Sequence, residues 1–97
     1  MSRYRLSRLA EADLEEIRRW YVRERGPTAA RKVLRDLRAT LRRLALNPGI
    51  GHPREDLAAA DTHFWPHHRF LLVFLPKTIP LQVLRIWDAS RGILEVR

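Results

Sequence analysis

Residues 69–76 read RFLLVFLP and include the longest uninterrupted apolar run of the chain, Phe70 to Leu75. Six apolar residues are far too few to cross a membrane, and Pro76 ends the run, so the segment predicts a buried strand. Successive side chains of a strand point to opposite faces of its sheet, so both faces are apolar here. One face carries Phe70, Leu72 and Phe74, and the other carries Leu71, Val73 and Leu75.

Three further strands are predicted around this segment. Residues 63–65 read HFW and precede an expected turn at Pro66 and His67, while residues 81–88, LQVLRIWD, follow a proline-bounded turn. Residues 3–6 alternate polar and apolar side chains and form the fourth strand. The sheet is therefore expected to be four-stranded and largely antiparallel.

Two helices are predicted between the first strand and the others. Ser7 can cap a helix over about residues 8–25, in which apolar residues recur every three or four positions. Gly26 ends it, and a second helix with one apolar side runs to about Leu46. The short turn between them predicts an antiparallel helix hairpin. The order is β-α-α-β-β-β, a single α+β domain over residues 1–97 with the hairpin packed on one sheet face.

The second sheet face has no predicted helix to cover it. Either the loop 55–62 or the segment 93–96 folds over it, or it is an apolar groove for a partner helix. A groove would bind its partner through five residues on this face: Leu71, Val73, Leu75, Arg85 and Trp87.

Arg85 interrupts an otherwise apolar strand, in which strict alternation places it with Leu81, Val83 and Trp87. A buried guanidinium without a partner is costly, so Arg85 needs a carboxylate, such as Asp88 or Glu95, or the open side of the sheet. Trp87 beside an open groove is a natural anchor for a partner side chain.

The chain is strongly basic, with a net charge of +8, and 17 of its 19 basic residues are arginine. This balance predicts an acidic partner. On the second helix, four arginines recur at helical spacing: Arg31, Arg35, Arg38 and Arg42. They are either an anionic contact surface or a solvated helix edge neutralised by Glu11 and Glu15 of the first helix.

Metal binding and acid-base catalysis are poorly supported by the sequence. The chain has no cysteine, and His67 and His68 are adjacent and point apart on an extended chain, so no metal site or cofactor is predicted. His67 and His68 could act as general bases beside Arg69, which leaves a nuclease as an alternative.

The charged start of the chain has no signal-peptide core and no apolar run spans a membrane, so a cytoplasmic protein is expected.

Five segments carry a family resemblance: residues 4–7 (YRLS), 12–17 (ADLEEI), 41–48 (LRRLALNP), 51–57 (GHPREDL) and 84–91 (LRIWDASR). In this order and spacing they resemble the RelE/ParE toxin superfamily, specifically its ParE branch. The resemblance implies the fold derived above and a toxin of a type II toxin-antitoxin pair. It also implies an acidic, partly disordered ParD-like antitoxin laid across the sheet face. The ParE branch is associated with poisoning of DNA gyrase, and the RelE branch with mRNA cleavage in the ribosome.

The resemblance also distinguishes the two branches, through the residues that RNA cleavage requires. RNA cleavage needs an acid and a base, and arginine, always protonated, supplies neither. The paired lysines and the tyrosine of the RelE branch would fall near Ala60, Thr62 and Arg97 here. The sequence therefore predicts a toxin that acts by binding, with no catalytic residues and without direct nucleic-acid binding except through the antitoxin.

Three arginines are the expected target or phosphate contacts: Arg54, Arg69 and Arg91. Of these, Arg69 and Arg91 match arginines of the RelE branch. The chain departs from the usual ParE ending, with Asp88 and Gly92 where the family has a histidine and an aspartate. A ribosome-dependent endonuclease and an inactive interaction module stay open as alternatives.

Overall fold

The computed structural model describes residues 3–50, 52–53 and 62–89 of the 97-residue chain. The predicted α+β class and element order are confirmed. The elements are β1 (Tyr4–Leu6), α1 (Arg8–Arg25), α2 (Pro27–Leu46), a 3-10 turn (Pro48–Ile50), β2 (His52–Pro53), β3 (His63–His67), β4 (Phe70–Leu75) and β5 (Leu81–Asp88).

The five strands form one mixed sheet in the order β1-β5-β4-β3-β2. β1 runs parallel to β5, and all other neighbours are antiparallel. The expected count of four strands is wrong, because the sheet also includes β2, a two-residue strand that the sequence analysis did not predict. The expected turn at Pro66 and His67 is also wrong. β2 pairs only with His63 and Phe64, so Pro66 lies on an edge portion of β3, where a strand tolerates proline.

The helix ends follow the predicted signals closely. The Ser7 hydroxyl accepts a hydrogen bond from the Ala10 N–H at 3.0 Å, which caps α1. Gly26 has φ +94°, a backbone conformation that side chains other than glycine rarely adopt, and its N–H bonds to the Val22 carbonyl. Pro27 then begins α2, so the two helices form a tight hairpin.

A β-bulge in β5 shifts the pattern of alternating side chains. Val73 pairs with Arg85, but the next residue of β4, Phe74, pairs with Val83, so Leu84 is an additional residue. Val83 therefore packs with the helices, whereas Leu84 and Trp87 pack on the opposite face. The prediction that Arg85 and Trp87 share a face with Leu81 and Val83 is wrong for this reason.

Two apolar clusters lie on the two faces of the sheet. The larger one fills the space between the helix hairpin and the sheet, and includes Leu37, Leu41, Leu72, Phe74 and Val83, all almost completely buried. The smaller one lies on the opposite face and is centred on Phe64, Leu71 and Val73.

Candidate interaction surface

The second face of the sheet is covered at two of the positions that would line the groove. Leu71 and Val73 are only 8% and 3% exposed, so the expected open groove is wrong at these two positions. The bulge brings Leu84 and Trp87 against the Phe64, Leu71 and Val73 cluster. Residues 55–62 and 93–96, the two segments expected to cover this face, lie outside the described residues except for Thr62.

Two of the five predicted antitoxin contacts keep partly exposed apolar side chains. Leu75 ends β4, and Trp87 lies near the end of β5 with its ring 6.1 Å from that of Phe64. Trp87 also has the Arg85 guanidinium 5.8 Å from its ring centroid. A partner on this face would contact Leu75 and Trp87, whereas Leu71 and Val73 are buried.

Arg85 is held by a carboxylate that the sequence did not indicate. Its Nε and Nη2 donate hydrogen bonds of 2.8 and 2.9 Å to the two carboxylate oxygens of Asp13 on α1. The expected pairing with Asp88 is wrong, and Glu95 lies outside the described residues. The hydrogen bond to Asp13 raises the pKa of Arg85 above its ordinary value.

The same carboxylate also protects a free edge of the sheet. β1 pairs with β5 only as far as Val83, which leaves later backbone groups of β5 without a strand partner on that side. Asp13 Oδ2 accepts the Ile86 N–H at 2.9 Å, and the Ser7 hydroxyl donates to the Leu84 carbonyl at 2.7 Å. The start of α1 thus takes over from β1 as the neighbour of β5.

Arg69 forms a second forked ion pair at the other end of the helix hairpin. Its Nε and Nη2 donate to the Asp88 carboxylate at 3.2 and 2.7 Å. Its guanidinium carbon lies 4.8 Å from the centroid of the Trp20 ring. The bond to Asp88 raises the pKa of Arg69. Because Asp88 already balances this charge, a phosphate at Arg69 would have to compete with a bidentate carboxylate.

A hollow of about 410 Å³ lies beside Arg69 and is lined by residues of α1, α2 and the β3–β4 turn. His67 lies on its wall, with Nδ1 2.9 Å from the Thr40 hydroxyl oxygen. Burial, and then the charge of His68, lower the pKa of His67, while Asp36 opposes this shift. No group of three or more potential metal ligands occurs within the described residues.

The arginine row on α2 is exposed and lacks the predicted neutralisation. Its members are Arg31, Arg35, Arg38 and Arg42. Glu15 pairs instead with Arg18 and Arg19 of its own helix, and the Arg18 hydrogen bond lowers the pKa of Glu15. Among the described residues the row forms no ion pair, so it is a cationic surface. The other two expected target contacts, Arg54 and Arg91, lie outside the described residues.

This sheet, hairpin and charge distribution match one class of small α+β protein. A sequence profile described as "ParE toxin of type II toxin-antitoxin system, parDE" matches residues 4–93, and the chain belongs to this family. The predicted resemblance to the ParE branch is confirmed.

Individual relatives agree with the family match. "Toxin ParE1" of Caulobacter vibrioides is 42% identical over 59 residues, which are 61% of this chain and 62% of that protein. A solved structure described as "Chromosomal ParDE TA system from P. aeruginosa" superposes with a TM-score of 0.76 at 27% identity, and the match covers 91% of this chain and 96% of that one. Neither helix of the described part is long and apolar enough to span a membrane.

Proposed function

We propose that this ParE-family toxin acts by binding and inhibiting DNA gyrase in the cytoplasm, and that a cognate acidic, ParD-like antitoxin neutralises it. The observation that carries this proposal is the family match over residues 4–93. The net charge of +8 supports an acidic partner, as does the arginine row on α2, which forms no ion pair among the described residues.

The proposed antitoxin site is the second face of the sheet. Leu75 and Trp87 offer partly exposed apolar side chains, and Leu71 and Val73 are buried on the same face. Arg85 lies at the edge of this face, one-third exposed and oriented by Asp13. A partner segment that covers Trp87 would bury a large apolar side chain, which is the kind of residue that dominates binding energy at interfaces.

Action by binding, rather than by catalysis, is supported by the chemistry of the charged groups. Arginine cannot act as an acid or a base near neutral pH, and Arg69 is already occupied by Asp88. Thr62 lies close to where the RelE branch has a lysine, and it is 4% exposed. These residues favour a protein that holds its target without cutting it.

One observation favours a second candidate function, a ribosome-dependent mRNA endonuclease. His67 and His68 line the hollow beside Arg69, and a histidine with a lowered pKa is neutral and able to accept a proton near pH 7.

Expression in bacteria separates the two candidates. Induction of the chain is expected to stop growth and to trigger the DNA-damage response, and coexpression of an acidic antitoxin from a neighbouring reading frame is expected to restore growth. Primer extension on cellular mRNA should show no new ends. Codon-spaced mRNA cuts without a DNA-damage response would contradict the gyrase proposal and support the endonuclease.

A further inference from the structure

The turn between β4 and β5 exposes a large apolar side chain almost completely. Residues 76–80 read PKTIP, and Ile79 is 96% exposed. The other exposed large apolar side chains of the described residues, such as Leu46 at 63% and Leu9 at 58%, are better covered. A single exposed apolar residue needs no explanation by itself, so its surroundings decide its significance.

The turn that carries Ile79 is held in one conformation by local hydrogen bonds. The Thr78 hydroxyl donates to the Leu75 carbonyl at 2.9 Å and accepts the Gln82 N–H at 2.8 Å. The Leu81 N–H donates to the Arg3 carbonyl at 2.8 Å, which ties the end of the turn to the start of β1. Because the turn is already ordered, binding through it costs little conformational entropy.

Two hollows flank Ile79, and both are edged by basic side chains. The larger, about 490 Å³, lies on the side of Leu46 and Lys77, and the smaller, about 370 Å³, lies on the side of Arg5. Arg3 and Ile79 line both hollows. No acidic side chain of the described residues lines either one. The turn is therefore an apolar projection surrounded by cations, and we call the surface formed by Arg3, Arg5, Lys77 and Ile79 the turn surface.

We propose that the turn surface docks the toxin onto its target protein, where Ile79 enters an apolar pocket edged by carboxylates. This inference rests on the proposed function, in which the toxin acts by binding a protein. The three basic residues complement carboxylates, and a projecting aliphatic side chain favours a protein pocket over a nucleic-acid backbone. Of the two proposed antitoxin contacts, Trp87 lies near the opposite end of β5 from the turn, about 20 Å away along the strand, whereas Leu75 directly precedes the turn, so the test measures antitoxin binding beside target binding.

The test compares truncation of Ile79 with truncation of a matched exposed residue elsewhere. The variants Ile79→Ala and Ile79→Asp are made beside Leu9→Ala, since Leu9 is also exposed but lies on α1. Each purified variant is titrated against gyrase supercoiling and against the purified antitoxin, and each is induced in bacteria. Ile79→Ala is expected to weaken gyrase inhibition about tenfold, and Ile79→Asp to weaken it further by repulsion from the carboxylates. Both should bind the antitoxin within about twofold of the wild type, and Leu9→Ala should match the wild type in every assay.

The outcomes distinguish failure of this inference from failure of the proposed function. Ile79 variants as toxic as the wild type would overturn the docking role. A parallel loss of antitoxin affinity would also overturn it, because the turn surface would then be an antitoxin contact. A wild-type chain that stops growth without inhibiting gyrase would refute the gyrase target, and the growth assay would still decide the role of Ile79. A wild-type chain that is harmless to cells would refute the proposed function, and the docking role with it.

Discussion

Asp13 joins α1 to two adjacent residues of β5 that lie 72 and 73 positions further along the sequence. Its carboxylate holds the Arg85 guanidinium in a forked ion pair and accepts the Ile86 N–H next to the bulge. Its side chain is 14% exposed and that of Arg85 33%, so solvent screens this pair only in part. The carboxylate therefore fixes α1 to the part of β5 that β1 does not reach.

Replacement of Asp13 tests this role. Asp13→Ala leaves Arg85 without its counter-charge and the Ile86 N–H without its acceptor, and is expected to lower the free energy of unfolding by about 2–3 kcal/mol. Urea denaturation measures the change. Glu15→Ala, which removes two exposed ion pairs of the same helix, serves as the control and should change stability little. Equal effects of the two substitutions would contradict the assigned role of Asp13.

The titration of His67 is expected to lower the stability of the folded protein as the pH falls. In the folded protein its pKa is lowered from the ordinary value of 6.5, chiefly by burial, so the unfolded chain takes up the proton more readily. The free energy of unfolding is therefore expected to fall as the pH drops below about 6.5, until the folded-state pKa is also passed. His67→Gln keeps a polar partner for Thr40 without the titration, and its melting temperature should fall less between pH 8 and pH 5.5. Identical pH profiles for the wild type and the variant would rule out this assignment.

At the scale of elements, the junction between β1 and α1 determines how the helix hairpin meets the sheet. The Ser7 hydroxyl caps α1 at Ala10 and donates to the Leu84 carbonyl, while the Ser7 N–H donates to the Val83 carbonyl at 2.9 Å. One residue thus serves as both the helix cap and the continuation of the strand pairing.

Removal of this cap tests the junction. Ser7→Ala loses the cap and the donor to Leu84, and is expected to lower the free energy of unfolding by about 1–2 kcal/mol. Ser7→Thr keeps the hydroxyl and should recover most of that loss. Thermal melts followed by circular dichroism measure both variants, and equal destabilisation by alanine and threonine would show that the hydroxyl is not responsible.

Local elements of the fold were predictable from sequence, whereas features that depend on strand register were not. The approximate helix bounds predicted from sequence agree with the observed ones because caps and apolar periodicity are local signals, as at Ser7 and Gly26. The bulge at Leu84 leaves no local signal, since it depends on the register between β4 and β5. The pairing of Asp13 with Arg85, 72 positions apart, follows from that register and could not be read from spacing. Sequence reasoning left open whether the second sheet face is covered, and the burial of Leu71 and Val73 decides this for those two positions.

At the scale of the whole molecule, some basic side chains are paired with carboxylates and others are not, within the part of the chain that the structure describes. The forked pairs at Arg69 and Arg85 are balanced within the chain, whereas the arginine row on α2 and the basic residues of the turn surface have no acidic partner among the described residues. The described part of the chain therefore presents unbalanced positive charge on surfaces separate from its internal ion pairs. This distribution suits a protein that is captured by acidic partners.

The most direct measurement is a supercoiling assay with the purified chain, DNA gyrase and relaxed plasmid, in the presence and absence of the purified acidic antitoxin. We expect the chain alone to block supercoiling in proportion to its concentration, and a stoichiometric amount of antitoxin to restore it. Full supercoiling at a large molar excess of the folded chain would contradict the claim that this ParE-family toxin acts on gyrase.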